Sequence, residues 1–137
     1  IATTTTVENV HVLLEHSLAP GSSSWFEVIG AGDVVPAKKP APDIYCWVLD
    51  RLQLPAAACL AVEDSENGLR AARGAGLPTL VTVNAYTDTQ SFDGAAVVLS
   101  DLGEPGRPCR CLSASPAPAS GCVELADLRR WHAAAIA

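Results

Sequence analysis

Apolar positions change their period several times along the chain, and each change marks an element. Val7, Val10 and Leu14 recur at helical spacing to about Leu18. Thr5 and Glu8 have the spacing of a capping box at the start of that helix. Ala19-Pro20-Gly21 and three serines stop it, and Trp25-Phe26-Glu27-Val28-Ile29-Gly30 predicts a short strand leading into a Gly/Pro loop through Pro40. Pro42 suits the first position of a second helix, with Asp43 beside the positive end of its dipole. Ile44, Val48 and Leu52, flanked by Tyr45 and Leu49, supply its buried face, and Leu54-Pro55 ends it.

The pattern then switches to continuous apolar runs. Cys59-Leu60-Ala61-Val62 reads as a strand covered on both faces, stopping abruptly at Glu63-Asp64-Ser65. A third helix is expected from about Glu66 to Ala75, with Gly76 as its C-terminal cap. Leu80-Val81-Thr82-Val83 and Ala95-Ala96-Val97-Val98-Leu99 supply two more strands. Residues 104–121 hold four prolines and several serines, which predicts an irregular, mobile loop with little to bury. The last helix, about Glu124 to Ala135, carries acids first and Arg129 and Arg130 later, matching its dipole. Strands alternating with helices predict a single α/β domain, a Rossmann-like parallel sheet with helices on both faces.

Composition narrows the partners. Lys plus Arg is 9 and Asp plus Glu is 15 in 137 residues, a net charge of −6, so no basic stripe exists for nucleic acid or an anionic membrane. There are 23 alanines and only 5% aromatics, so small aliphatic side chains must build the core. No charge-free apolar run reaches the length of a membrane span. The chain opens Ile1-Ala2-Thr3 without a methionine, a basic segment or an apolar leader, and reads as a fragment or a processed chain. Five cysteines are an odd number. Cys46 and Cys59 lie in apolar segments and are expected buried. Cys109-Arg110-Cys111 and Cys122 lack a fourth ligand at a zinc-site spacing, so unpaired, unmetallated thiols are expected.

Chemistry concentrates at strand ends, where ligands bind in open parallel sheets. Thr3 follows the strand-like Ile1-Ala2, Lys39 precedes a helix, and Glu63 and Asp64 end an apolar strand. A hydroxyl, an ammonium and an acidic pair are the parts that hold a phosphate together with Mg²⁺. Each also has a plain structural use: threonines cap helices, Lys38 and Lys39 suit a solvated loop, and Asp64 or Ser65 can cap the third helix. No glycine-rich phosphate loop follows a strand, which disfavours a nucleotide-binding module.

Taken together, three stretches resemble the second, third and fourth motifs of the haloacid dehalogenase superfamily. They are Ile1-Ala2-Thr3-Thr4-Thr5, the Gly32–Tyr45 stretch containing Lys38-Lys39-Pro40-Ala41-Pro42-Asp43, and Val62-Glu63-Asp64-Ser65-Glu66-Asn67-Gly68-Leu69. Their wording is similar to the CbbY-like branch of sugar-phosphate phosphatases, which is related to beta-phosphoglucomutase. The resemblance implies that Thr3, with Thr4 beside it, binds the transferring phosphoryl group and that Lys39 neutralises its charge. It implies Asp64 as a Mg²⁺ ligand with Glu63 as its companion. It also implies a small phosphorylated sugar as substrate, a phosphosugar mutase or a non-catalytic interaction form as the alternatives, and a cytoplasmic or plastid-stromal setting. Such enzymes attack phosphate with an aspartate from an Asp-Xaa-Asp motif, and no Asp-Xaa-Asp occurs in these residues. The chain is therefore expected to lack the family's first strand and helical cap, to be inactive alone, and to have the missing N-terminal half as a candidate partner.

Overall fold

The serine-rich break after the first helix shows how side chains set the local structure. Glu15 accepts hydrogen bonds from the Gly21 N–H, the Ser23 N–H and the Ser23 hydroxyl, at 2.5, 3.3 and 3.0 Å. Those bonds fold Ser22–Trp25 into a 3₁₀ turn, with Gly21 at a φ of +82° that favours glycine. The strand expected over Trp25–Gly30 is thereby lost. Only Gly30 pairs, in a single parallel bridge to Ala2.

The computed structural model describes residues 1–137. Helix α1 is Val7–Ser17, α2 Asp43–Leu52, α3 Glu66–Gly74 and α4 Leu125–Ile136. Strands β1 (Ala61–Glu63), β2 (Thr79–Thr82) and β3 (Val97–Leu99) form one sheet in the order β1-β2-β3, all parallel. A second 3₁₀ turn, Ala56–Ala58, ends with Cys59 as its cap, and β1 begins two residues later than Cys59. Thr6, rather than Thr5, caps α1 by accepting from the Asn9 N–H, while the Thr5 hydroxyl accepts from the Asn9 side chain. Glu124 and Asp127 form the reciprocal box that starts α4.

Side-chain alternation separates the two faces of the sheet. Ala61 of β1 packs with Ala71 and Ala72 of α3 and with Ile44 and Tyr45 of α2. The two alanines are fully buried, and their small volume lets α3 lie close on the strands. On the opposite face Leu80, Val97 and Leu99 pack against Trp131 of α4. Helices therefore cover both faces, as the alternation predicted. Coverage fails only at β1, where Val62 is 55% exposed.

The outer edge of β3 is closed by the proline-rich segment. The Ser100 N–H donates to the Arg110 carbonyl and the Leu112 N–H to the Val98 carbonyl, at 2.9 and 2.8 Å, while Cys111 bridges Leu99 in antiparallel sense. The Ser115 hydroxyl donates to the Ala96 carbonyl at 2.7 Å. Residues 104–121 are thus irregular, but they take the place of an edge strand, and Cys109 within them is buried. Cys46 is exposed rather than buried, because α2 turns Ile44, Tyr45 and Val48 inward and Cys46 away. All five cysteines are free thiols. No helix is long and apolar enough to cross a membrane.

Candidate functional site

Of the residues singled out at strand ends, Lys39 and Glu63 meet directly, and the backbone just before Thr3 joins them. Lys39 donates to the Ala2 carbonyl at 3.0 Å, to Glu63 Oε1 at 2.5 Å, and lies 3.4 Å from the Tyr45 hydroxyl. Ala2 precedes Thr3 and Glu63 precedes Asp64, so Lys39 joins the strand ends that carry the expected hydroxyl and acids. The Lys39 and Glu63 side chains are only 14% and 7% exposed. A pair this dry survives only when its remaining hydrogen-bonding capacity is also filled.

Tyr45 does that filling. Its hydroxyl donates to Glu63 Oε1, and its ring lies beneath the Lys39 ammonium, 4.8 Å from ring centre to Nζ. Burial, and then the Glu63 charge, pushes the Tyr45 phenol above its ordinary range, so it stays a protonated donor. Gly68 supplies the room. A Cβ at Gly68 would run into the Glu63 carboxylate, so the first turn of α3 accommodates that side chain only because position 68 has none. The Gly68 N–H is taken by the Ser65 hydroxyl, 3.2 Å away, which caps α3. Ser65, and not Asp64, holds that cap.

The other expected residues are placed as follows. The Thr3 N–H donates to the Gly30 carbonyl at 2.9 Å, and its hydroxyl accepts from the Thr5 N–H at 3.4 Å. Thr4 is exposed. Asp64 is exposed at the tip of β1 and takes no part in an ion pair. Glu63, which the resemblance implied as a metal companion, commits Oε1 to Lys39 and Tyr45. Lys38 takes no part in the cluster. It pairs with exposed Asp33 at 2.6 Å. Sequence reasoning missed Tyr45 and Gly68 as parts of the site. Their signals were a polar tip on the buried face of α2 and a glycine three residues after the Ser65 cap.

No three acidic, histidine or cysteine side chains gather here as a metal cage, so the protein's own offer to a Mg²⁺ ion is small. One exposed carboxylate at Asp64 offers a hard oxygen, and that ion is commonly held by one or two carboxylates, substrate phosphate and several waters. Beside the site, the free edge of β1 faces a wholly apolar slot walled by Ile1 and Ala2 on one side and by Leu60, Ala61 and Val62 on the other, with α2 along its flank.

Residues 1–76 match the family model of haloacid dehalogenase-like hydrolases. The chain belongs to that family. It is 47% identical over 132 residues to protein CbbY, plasmid, of Cupriavidus necator, covering 96% of this chain and 51% of that protein. It is 35% identical to the CBBY-like protein of Arabidopsis thaliana over 77% of this chain and 33% of that protein. Among solved structures it is similar to CbbY from Rhodobacter sphaeroides in complex with phosphate, with 45% identity, a TM-score of 0.68, and coverage of 73% of this chain and 44% of that one. A mutant of the same protein, solved with xylulose-(1,5)bisphosphate, gives a TM-score of 0.69. The chain spans about half the length of the curated relatives it matches.

Proposed function

We propose that these residues form the phosphate- and metal-binding half of a Mg²⁺-dependent phosphatase acting on small sugar phosphates or bisphosphates. The observation that carries this reading is Lys39, held between the Ala2 carbonyl just before Thr3 and the Glu63 carboxylate at the end of β1. Support for the substrate class comes from relatives: a CbbY structure at 45% identity was solved with a sugar bisphosphate. In this reading Lys39 offsets phosphate charge and Thr3, with Thr4 beside it, hydrogen-bonds the phosphoryl oxygens. Asp64 holds Mg²⁺, and the ion would supply charge neutralisation at the transferring group when bound.

The nucleophile is not among these residues. No Asp-Xaa-Asp occurs, and no residue beside Thr3 is placed as a base to activate its hydroxyl. We assign it to a segment that pairs with the free edge of β1, in the apolar slot between Ile1-Ala2 and Leu60-Ala61-Val62. An extended apolar segment there would gain a hydrogen-bonded neighbour and bring its end beside Lys39.

The test is phosphate release over a sugar-phosphate panel with Mg²⁺. The 137-residue chain alone is expected to show none above background. The same chain fused behind the N-terminal half of the Cupriavidus necator relative is expected to turn over. In that fusion Asp64→Asn should lower the rate about 10²-fold, the scale of losing an electrostatic stabiliser. Turnover by the short chain that is abolished in Thr3→Ala would show that the nucleophile lies within it.

A further inference from the structure

We propose that Tyr45 is a positioning residue for Lys39, acting through its hydroxyl on Glu63 and through its ring beneath the ammonium. This rests on the reading of Lys39 as the phosphate-binding cation, and it deepens that reading by naming what aims it.

A lysine has four rotatable side-chain bonds and a strongly hydrated head, so an unassisted ammonium wanders. Lys39 is restrained from three directions. The Ala2 carbonyl fixes it to the segment bridged to Gly30, Glu63 fixes it to β1, and the Tyr45 ring closes the third side. Glu63 can serve as an anchor only if it is itself anchored. Its Oε1 accepts from Tyr45 as well as from Lys39, and Gly68 leaves the space its carboxylate occupies. Tyr45 is 8% exposed and projects from α2, the helix whose Ile44 and Val48 are locked in the core. The hydroxyl therefore sits on a rigid element, while Lys39 sits on a loop. Rigidity passes from α2 through Tyr45 to Glu63 and on to the ammonium, whose three protons go to Ala2, Glu63 and the Tyr45 hydroxyl. An arriving anion takes over the long 3.4 Å bond to Tyr45 while the other two hold the ammonium in place.

The test uses the 137-residue chain, ¹⁵N-labelled, with the lysine ammonium groups observed directly by NMR and inorganic phosphate as the probe. Wild-type Lys39 should give a resolved ammonium signal with slow hydrogen exchange that moves on adding phosphate. Tyr45→Phe keeps the ring and removes the hydroxyl. It should speed Lys39 exchange on the order of tenfold, the equivalent of a charged hydrogen bond lost, and weaken the phosphate response several-fold. Tyr45→Leu should do more. Ile44→Val, on the same helix and in the same core, should leave the Lys39 signal in place, which a merely structural role for Tyr45 would not predict. If Tyr45→Phe does not fold, Glu63→Gln tests the same link and should also release Lys39. A Lys39 signal indifferent to Tyr45→Phe and Tyr45→Leu overturns the proposal, whatever Glu63→Gln does. Release of Lys39 without any phosphate response in the wild type upholds the positioning and overturns the phosphate reading of the site.

Discussion

Lys38 and Lys39 are neighbours in the chain and chemically identical, yet the fold treats them oppositely. Lys38 reaches an Asp33 whose side chain is 97% exposed, over a distance of 2.6 Å. Lys39 reaches Glu63 over almost the same distance, but both partners are nearly dry and a tyrosine completes the cluster. Separation alone therefore says little about what an ion pair does. Water around the first pair screens it and competes for it. Around the second, each charge depends on the other, because neither has solvent to fall back on. The difference arises one residue apart because Lys39 precedes the turn into α2 and is delivered to the end of β1.

The largest effect that can test this contrast is removal of one buried partner. Lys39→Met should destabilise the chain by about 3–5 kcal/mol, because it strands the Glu63 charge in the core. Lys38→Met should leave the melting temperature unchanged. Adding Glu63→Leu to Lys39→Met should recover most of the loss, since the stranded charge is then gone. Equal melting temperatures for the two single variants, read by calorimetry or circular dichroism, would break the distinction. The next effect down is steric. Gly68→Ala places a methyl where the Glu63 carboxylate lies, and should cost about 1–3 kcal/mol through forced repacking. In the Lys39→Met/Glu63→Leu background the penalty should change, whereas a purely helical effect would carry over intact.

Much of this arrangement was legible in the sequence, and the rest was hidden for definite reasons. The strand ends at Ala2 and Glu63 follow from apolar runs that stop at polar residues, and parallel topology brings such ends to one side of a sheet. Hence Lys39, Thr3 and Asp64 could be named from spacing and resemblance. That Glu63 would turn to Lys39 could not be read, because it depends on Tyr45 from another helix and on empty volume at Gly68. The prolines, serines and small residues of the 104–121 segment predict a loop with little to bury. Its service at the edge of β3 is performed by backbone groups of Arg110 and Leu112, which sequence pattern does not record. The lost strand at Trp25–Gly30 has the same origin in a distant side chain, Glu15.

The smallest effect lies in the exposed pair, and it is a matter of pH. The Lys38 ammonium, first by hydrogen bonding and then by its charge, holds the Asp33 carboxyl below its ordinary value of 3.8. A carboxyl whose pKa is lower folded than unfolded contributes stability that is complete above the unfolded value. That contribution is lost as pH falls through the lowered one. The window for Asp33 therefore lies below about pH 3.8, and nothing at this pair should change between pH 5 and 8. Carboxyl ¹³C shifts followed by NMR should show Asp33 titrating below that value in the wild type and close to it in Lys38→Met. Asp33→Asn should lower the plateau above pH 3.8 only slightly, remove the matching small part of the acid limb, and leave stability in strong acid unchanged. A loss of stability in Asp33→Asn at pH 7 comparable to that of Lys39→Met would mean that the exposed pair is as dependent on its partner as the buried one, and the contrast between the two lysines would fail.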